Sequence, residues 1–193
     1  MPIGISKFLE ESDFQEAAQV MNVSIAAVKA VAEVESKGQG FYPSGKPIIL
    51  FEAHIFGKYT NYKFNQSHPN LSSYKWNKAL YFGGEREYER LNAAVQLNEE
   101  AALKSTSWGK FQICGFNHKY CGYNDVFSYV DDQYISEGIH LMCFVKYILS
   151  QRLDIPLRNL NWAEFARRYN GPKYAENRYD VKLQNAYRKY GGQ

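Results

Sequence analysis

Ser24-Ile25-Ala26-Ala27-Val28-Lys29-Ala30-Val31-Ala32-Glu33-Val34-Glu35, followed beyond three glycines by Ile48-Ile49-Leu50-Phe51-Glu52-Ala53-His54-Ile55-Phe56, is the stretch on which the fold turns. Ser24 suits a helix N-cap, because its hydroxyl can accept from an unpaired N–H of the first turn. Ile25, Val28, Val31, Ala32 and Glu35 then recur along one helical stripe, and Gly38 and Gly40 end the helix. Glu35 therefore falls in the last turn, while Glu33, two positions earlier, points to a different face. The segment Phe41–Pro47 has the turn chemistry of a short hairpin, and Ile48–Phe51 is a β-branched apolar run, so a small antiparallel sheet is predicted near residues 40–52. Helical patterning restarts at Glu52, which lies at the strand-to-helix junction.

Outward from this stretch, Ser12 with Gln15 reads as a capping box for a first helix near 13–21, carrying Phe14, Ala17, Ala18 and Met21 inward. Residues 60–84 are polar and rich in Asn, Ser, Tyr and Gly, which predicts mostly loop. Helical periodicity returns over 85–104, 108–113 and 126–149, after Asn161 with a capping box to Glu164, and over 174–190. The sum is an α+β, mainly helical chain with one small sheet inserted early, an arrangement that leaves room for a cleft between sheet and helices. At 193 residues it is expected to form a single domain spanning 1–193.

Composition is that of a globular protein: 45% hydrophobic and 22% charged, with no low-complexity tract or repeat. Aromatic content is high, with 16 Tyr and 12 Phe, which suits either a rich core or stacking against sugars. The start, Met1 to Lys7, carries neither a charged leader nor a long apolar stretch, so synthesis in the cytoplasm is expected. Cys114, Cys121 and Cys143 have no paired metal-ligand spacing with the four histidines; free thiols, no zinc and no organic cofactor are expected. Net charge is only +3, yet from Arg158 onward eight Lys or Arg face only Glu164, Glu176 and Asp180. That asymmetry favours an anionic partner, such as nucleic acid, a lipopolysaccharide-rich membrane or a phosphate-bearing wall, although a solvated helix face would look the same. No nucleic-acid-binding motif accompanies it, so specific recognition of DNA or RNA is not expected.

Glycosidic bond cleavage requires a proton donor for the leaving oxygen and usually a second carboxylate that activates water or attacks the sugar. Glu35, at the negative end of its helix and on an apolar stripe, is placed to hold its proton. Glu52, if it begins a helix, meets unpaired N–H groups that favour the charged form, so it is expected to act as the base. Two carboxyls in such different surroundings divide the acid and base roles.

Glu33–Phe41, Ile49–Phe56, Ser72–Tyr81, Ser105–Ile113, Gly115–His118 and Arg168–Pro172 resemble, in order, the N-acetylmuramidase domain family of phage endolysins. Glu35-Ser36, Gly109 with Gln112-Ile113, and Tyr169-Asn170 also resemble the wider group of goose-type lysozymes and lytic transglycosylases. The resemblance implies a lysozyme-like fold and a muramidase that cuts peptidoglycan glycan strands. Glu35 would be the acid and Glu52 the second carboxylate. Substrate binding would fall to Ser36, Gln112, Tyr169 and Asn170, with Tyr169 hydrogen-bonding near the acid to orient it. Trp108 is left to core packing. Lytic transglycosylases manage with one Glu and form an anhydro sugar, so Glu52 favours hydrolysis. An inverting course is expected, with the carboxyls roughly 6.5 to 9.5 Å apart. The resemblance to single-domain endolysins implies passage to the periplasm through a holin-type pore, a monomer is expected, and charge alone suggests that the basic segment with Arg178, Lys182, Arg188 and Lys189 would contact the anionic outer membrane. The competing readings are a lytic transglycosylase and a non-catalytic peptidoglycan-binding domain.

Overall fold

Ser24 Oγ accepts from the Ala27 N–H at 3.2 Å and starts the helix that organises the chain. The structure, a computed structural model, describes residues 6–36 and 38–193; Met1–Ile5, most of the segment read for a leader, lies outside the described residues. Helix α1 is Glu11–Met21 and α2 is Ile25–Glu35. Asn22 turns the chain between them in the left-handed region, φ 54°. The first helix begins two residues before its predicted start, because Asp13 Oδ2 accepts from the Glu10 N–H at 2.8 Å, displacing the expected Ser12–Gln15 box. Along α2, Ala27, Val28, Ala30, Val31 and Ala32 are buried. Fully burying each valine contributes about 1.5–3 kcal/mol.

The small antiparallel sheet has three strands, β1 Ile49–Phe51, β2 Thr106–Trp108 and β3 Ile113–Cys114, in that spatial order. Ile49 pairs with Trp108 and Phe51 with Thr106; Trp108 pairs in turn with Ile113. Only β1 comes from the predicted region. The 41–47 turn supplies a single bridge, Phe41 to Pro47, and the partner of β1 is Thr106–Trp108, which runs into the segment read as helical, 108–113. That reading is corrected: residues 109–112 form the turn between β2 and β3, and Gly109 has φ +66°. A Cβ there would lie 2.7 Å from the His140 ring, so no larger residue fits.

The remaining helices are α3 Ala53–Tyr59, α4 Glu87–Leu97, α5 Glu99–Lys104, α6 Val126–Gln133, α7 Glu137–Ser150, α8 Asp154–Arg158, α9 Trp162–Asn170 and α10 Tyr179–Lys189. Two long predicted helices are each broken by a polar cap. Asn98 accepts from Ala101 N between α4 and α5, and Ser136 accepts from Ile139 N between α6 and α7. The last helix likewise starts later than predicted, after a 3₁₀ turn at Pro172–Ala175. Helix α10 packs along α2 and α9, and α1 packs on α2 and α7. Trp108, only 2% exposed, sits in the core as expected, with its indole N–H on Leu103 O at 3.3 Å.

Two buried polar clusters fix the loops that flank the sheet. Glu137 accepts from Gly40 N at 2.6 Å and Leu9 N at 3.3 Å, and pairs with Lys110 Nζ at 3.2 Å; Lys110 Nζ also donates to Gly38 O. His140 accepts from Lys110 N on Nδ1 at 3.1 Å, donates from Nε2 to Gln133 O at 2.8 Å, and stacks on Phe41. The second cluster is an ion pair, Glu87 with Arg90 at 2.8 Å, in which both side chains are almost wholly buried. Glu87 accepts from Phe51 N, Phe82 N and Gly83 N, while Arg90 donates to Phe51 O and Asn70 O. The pair thus ties β1 to both ends of the 70–83 loop.

Candidate active site

Glu35 is the final residue of α2, where unpaired helix carbonyls and a shell of packed side chains both oppose a negative charge. Burial raises its pKa to about 7, against the smaller opposing pull of the Asn170 amide and the charge of Lys182. Asn170 Nδ2 donates to Glu35 Oε1 at 3.1 Å. Glu33 shows the contrast: exposed on the other face, it accepts from Lys189 at 2.7 Å and Tyr190 at 2.5 Å, and these bonds lower its pKa.

Asn170 reaches Glu35 because α9 ends there. Asn161 Oδ1 caps the helix by accepting from Glu164 N at 3.1 Å, and Gly171, at φ 81°, turns the chain away. The Glu164 carboxylate grips Arg167. Tyr169 is clamped by Phe165, stacked at 5.7 Å, and by the edges of Phe144 and Tyr147. Burial first, and the Glu35 charge second, hold its phenol far above the usual value, so Tyr169 keeps its proton beside the acid. The hydrogen bond expected from Tyr169 comes instead from its neighbour Asn170.

Tyr169 also lines a groove of about 270 Å³ with Phe111, Gln112, Ile113, Cys114 and Tyr147. Gln112, at φ +50°, uses its amide N–H groups on Ile48 O at 3.1 Å and Gly109 O at 2.9 Å, which leaves its carbonyl oxygen as the acceptor for a ligand. Cys114 stands near Glu52: burial pushes its thiol up to about 12, and the Glu52 charge adds to the rise. The groove thus carries Gln112 together with Tyr169, whose chain neighbour Asn170 bonds to Glu35. Larger hollows of about 480 and 520 Å³ flank α2 and are lined by Glu33. Ser36 opens onto the second of these, away from the groove holding Gln112 and Tyr169.

Glu52 sits at the N-cap of α3 without capping it, so the expected role of the helix N–H groups is corrected. Its main-chain N–H donates to Ser105 O at 2.9 Å, which anchors it to the sheet. Oε2 accepts from Tyr81 Oη at 2.6 Å and lies 3.3 Å from His54 Nδ1. Burial and the adjacent carboxylate both raise the Tyr81 phenol far above its usual value, which keeps it a donor. Tyr81 and His54 were not assigned from sequence, and Lys182 was assigned only to membrane contact; for Tyr81 the clue available was an aromatic-rich polar loop too long for a mere connection. Among the described residues no three His, Cys, Asp or Glu side chains converge as metal ligands would. The arrangement provides a carboxyl that holds its proton near neutrality and a second, hydrogen-bonded carboxyl, the two requirements of acid-assisted glycoside cleavage.

A family model for N-acetylmuramidase matches residues 24–191, and the chain belongs to the N-acetylmuramidase family of peptidoglycan hydrolases. The crystal structure of the Burkholderia AP3 phage endolysin superposes with a TM-score of 0.90 at 44% identity, over 96% of this chain and 72% of that one. Comparison with curated proteins finds no match.

Proposed function

We propose that the chain hydrolyses the β-1,4 bond from N-acetylmuramic acid to N-acetylglucosamine, with Glu35 as general acid and Glu52 as the second carboxylate. The observation that carries this reading is the state of Glu35, a helix-end carboxyl whose pKa burial raises to about 7 and whose orientation Asn170 fixes. At neutral pH a large fraction of such a group is protonated and able to serve the leaving oxygen. Gln112 and Tyr169 would line the sugar path between the two carboxyls, and inversion by an activated water is the expected course.

Mass spectrometry of muropeptides released from purified peptidoglycan tests the chemistry. Reducing N-acetylmuramic acid ends support hydrolysis; 1,6-anhydro ends would assign a lytic transglycosylase, and intact glycan would leave only a binding role. As an endolysin, the enzyme would be made in the host cytoplasm as a monomeric single domain and reach the wall after holin-type release. Contact with the outer membrane would fall on the basic segment, where half of its eight basic residues are committed within the fold. Arg158 is paired with Asp154, Arg167 with Glu164 and Lys189 with Glu33, and Arg168 donates to Gln151 O and Arg152 O.

A further inference from the structure

Trp76 is 59% exposed, whereas Trp108 and Trp162 are 2% and 8% exposed. Its indole N–H is nevertheless engaged, donating to Tyr81 Oη at 2.7 Å, and Tyr81 in turn donates to Glu52 Oε2 at 2.6 Å. The indole is thus largely exposed while its N–H is tied through Tyr81 to the carboxylate. On the same loop Tyr74, 73% exposed, leans on Tyr62 with ring centroids 4.8 Å apart, and Phe82 is 41% exposed. Single exposed aromatics are ordinary on protein surfaces, but one joined through a tyrosine to a candidate catalytic group is not. The buried Glu87–Arg90 pair holds Phe82 and Gly83 just after Tyr81, and the Arg90 guanidinium lies 5.7 Å from the Tyr81 ring centroid. A loop anchored at that cost in ion desolvation is built to hold a position.

We infer that Trp76 is a stacking platform for a sugar ring of the glycan strand and that Tyr81, held by Trp76, is a positioning residue that orients Glu52. The occupant is a pyranose because the platform continues from the carboxylate that acts on the glycan; the inference rests on that reading of Glu52. Flat apolar sugar faces pack on an indole, and a ligand seated on Trp76 covers the edge of the hydrogen-bond chain that ends on Glu52.

The test uses the full chain. In a Glu35→Gln background, titration with an N-acetylglucosamine–N-acetylmuramic acid tetrasaccharide should change the intrinsic tryptophan fluorescence, and Trp76→Phe should remove the change. In the active enzyme Tyr81→Phe should lower kcat about tenfold or more with KM within about twofold, and Trp76→Ala should raise KM about fivefold or more. Trp76 is on the surface, so its variants report even if Tyr81→Phe is unstable. A fluorescence response that survives Trp76→Phe, or full activity in Tyr81→Phe beside an inactive Glu52→Gln, would overturn the inference alone. Full activity in Glu52→Gln would overturn the two-carboxylate reading beneath it.

Discussion

Asn170 and Glu35, 135 positions apart in sequence, meet through a single 3.1 Å hydrogen bond at the point where α2 and α9 both end. The amide donor steadies the charged form, so it opposes the burial that raises the acid. Asn170→Ala should therefore move the alkaline limb of kcat/KM to higher pH and lower kcat, because the carboxyl loses its orientation. Lys182→Gln should move the same limb the same way with kcat nearly unchanged. Movement to lower pH in either variant would contradict the assignment.

Glu35 should also work against stability. Its folded pKa, about 7, lies above the ordinary value of 4.5, so the folded chain binds more protons than the unfolded chain between those values. The stability this gives is full below about 4.5 and is lost as pH rises through about 7. Glu35→Gln is expected to abolish cleavage yet stabilise the protein at pH 8 by about 1–3 kcal/mol, discounted for the side chain's partial exposure. Urea unfolding at pH 8 and pH 5 checks this, and an equal effect at both would count against it.

His140 has the opposite sign. Burial lowers its pKa to about 4, and its ring donates once and accepts once, which requires the neutral form. The unfolded chain takes up the proton first as pH falls below about 6.5, so between pH 7 and 5 the fold should lose about 2 kcal/mol through this residue. Replacing His140 with Asn should flatten that part of the stability profile, while a slope as steep as wild type would remove His140 as its source.

Glu87→Gln leaves Arg90 buried without its counter-charge, and breaking such a pair costs about 3–5 kcal/mol. Because Glu87 also holds the main chain at Phe82 and Gly83, the variant should lose activity even under conditions where it stays folded. Circular dichroism during urea titration, together with initial rates on purified wall, measures both effects. A loss under about 1 kcal/mol would show that the pair is not a keystone of the loop.

Much of the catalytic side was legible in local pattern. Ser24, the apolar stripe and the glycines place Glu35 at a helix end, and the two-residue offset separates it from Glu33, whose surface pairs the structure shows. The apolar run before Glu52 reads as the strand it is. What escaped depends on distant partners. Strands β2 and β3 are three and two residues long and are strands only because β2 lies beside Ile49–Phe51 and β3 beside β2; alone, 108–113 carries an apolar spacing that mimics a helix. Asn98 and Ser136 are cap residues in plain view, yet apolar spacing runs through both and hid the breaks. Tyr81 could not be found from Glu52 because the two lie 29 positions apart across helix and polar loop. The stabilisation of Glu52 expected from the N–H groups of α3 gives way to a bond from Tyr81 for the same reason: the phenol is brought in by tertiary structure.

The most direct test is carbon-13 NMR of protein labelled at the glutamate carboxyls, titrated from pH 4 to 9. One carboxyl should titrate near 7, and its signal should be absent from Glu35→Gln. If the resonance lost in that variant instead titrates below about 5.5, in the ordinary glutamate range, Glu35 gives up its proton too early to serve as the acid.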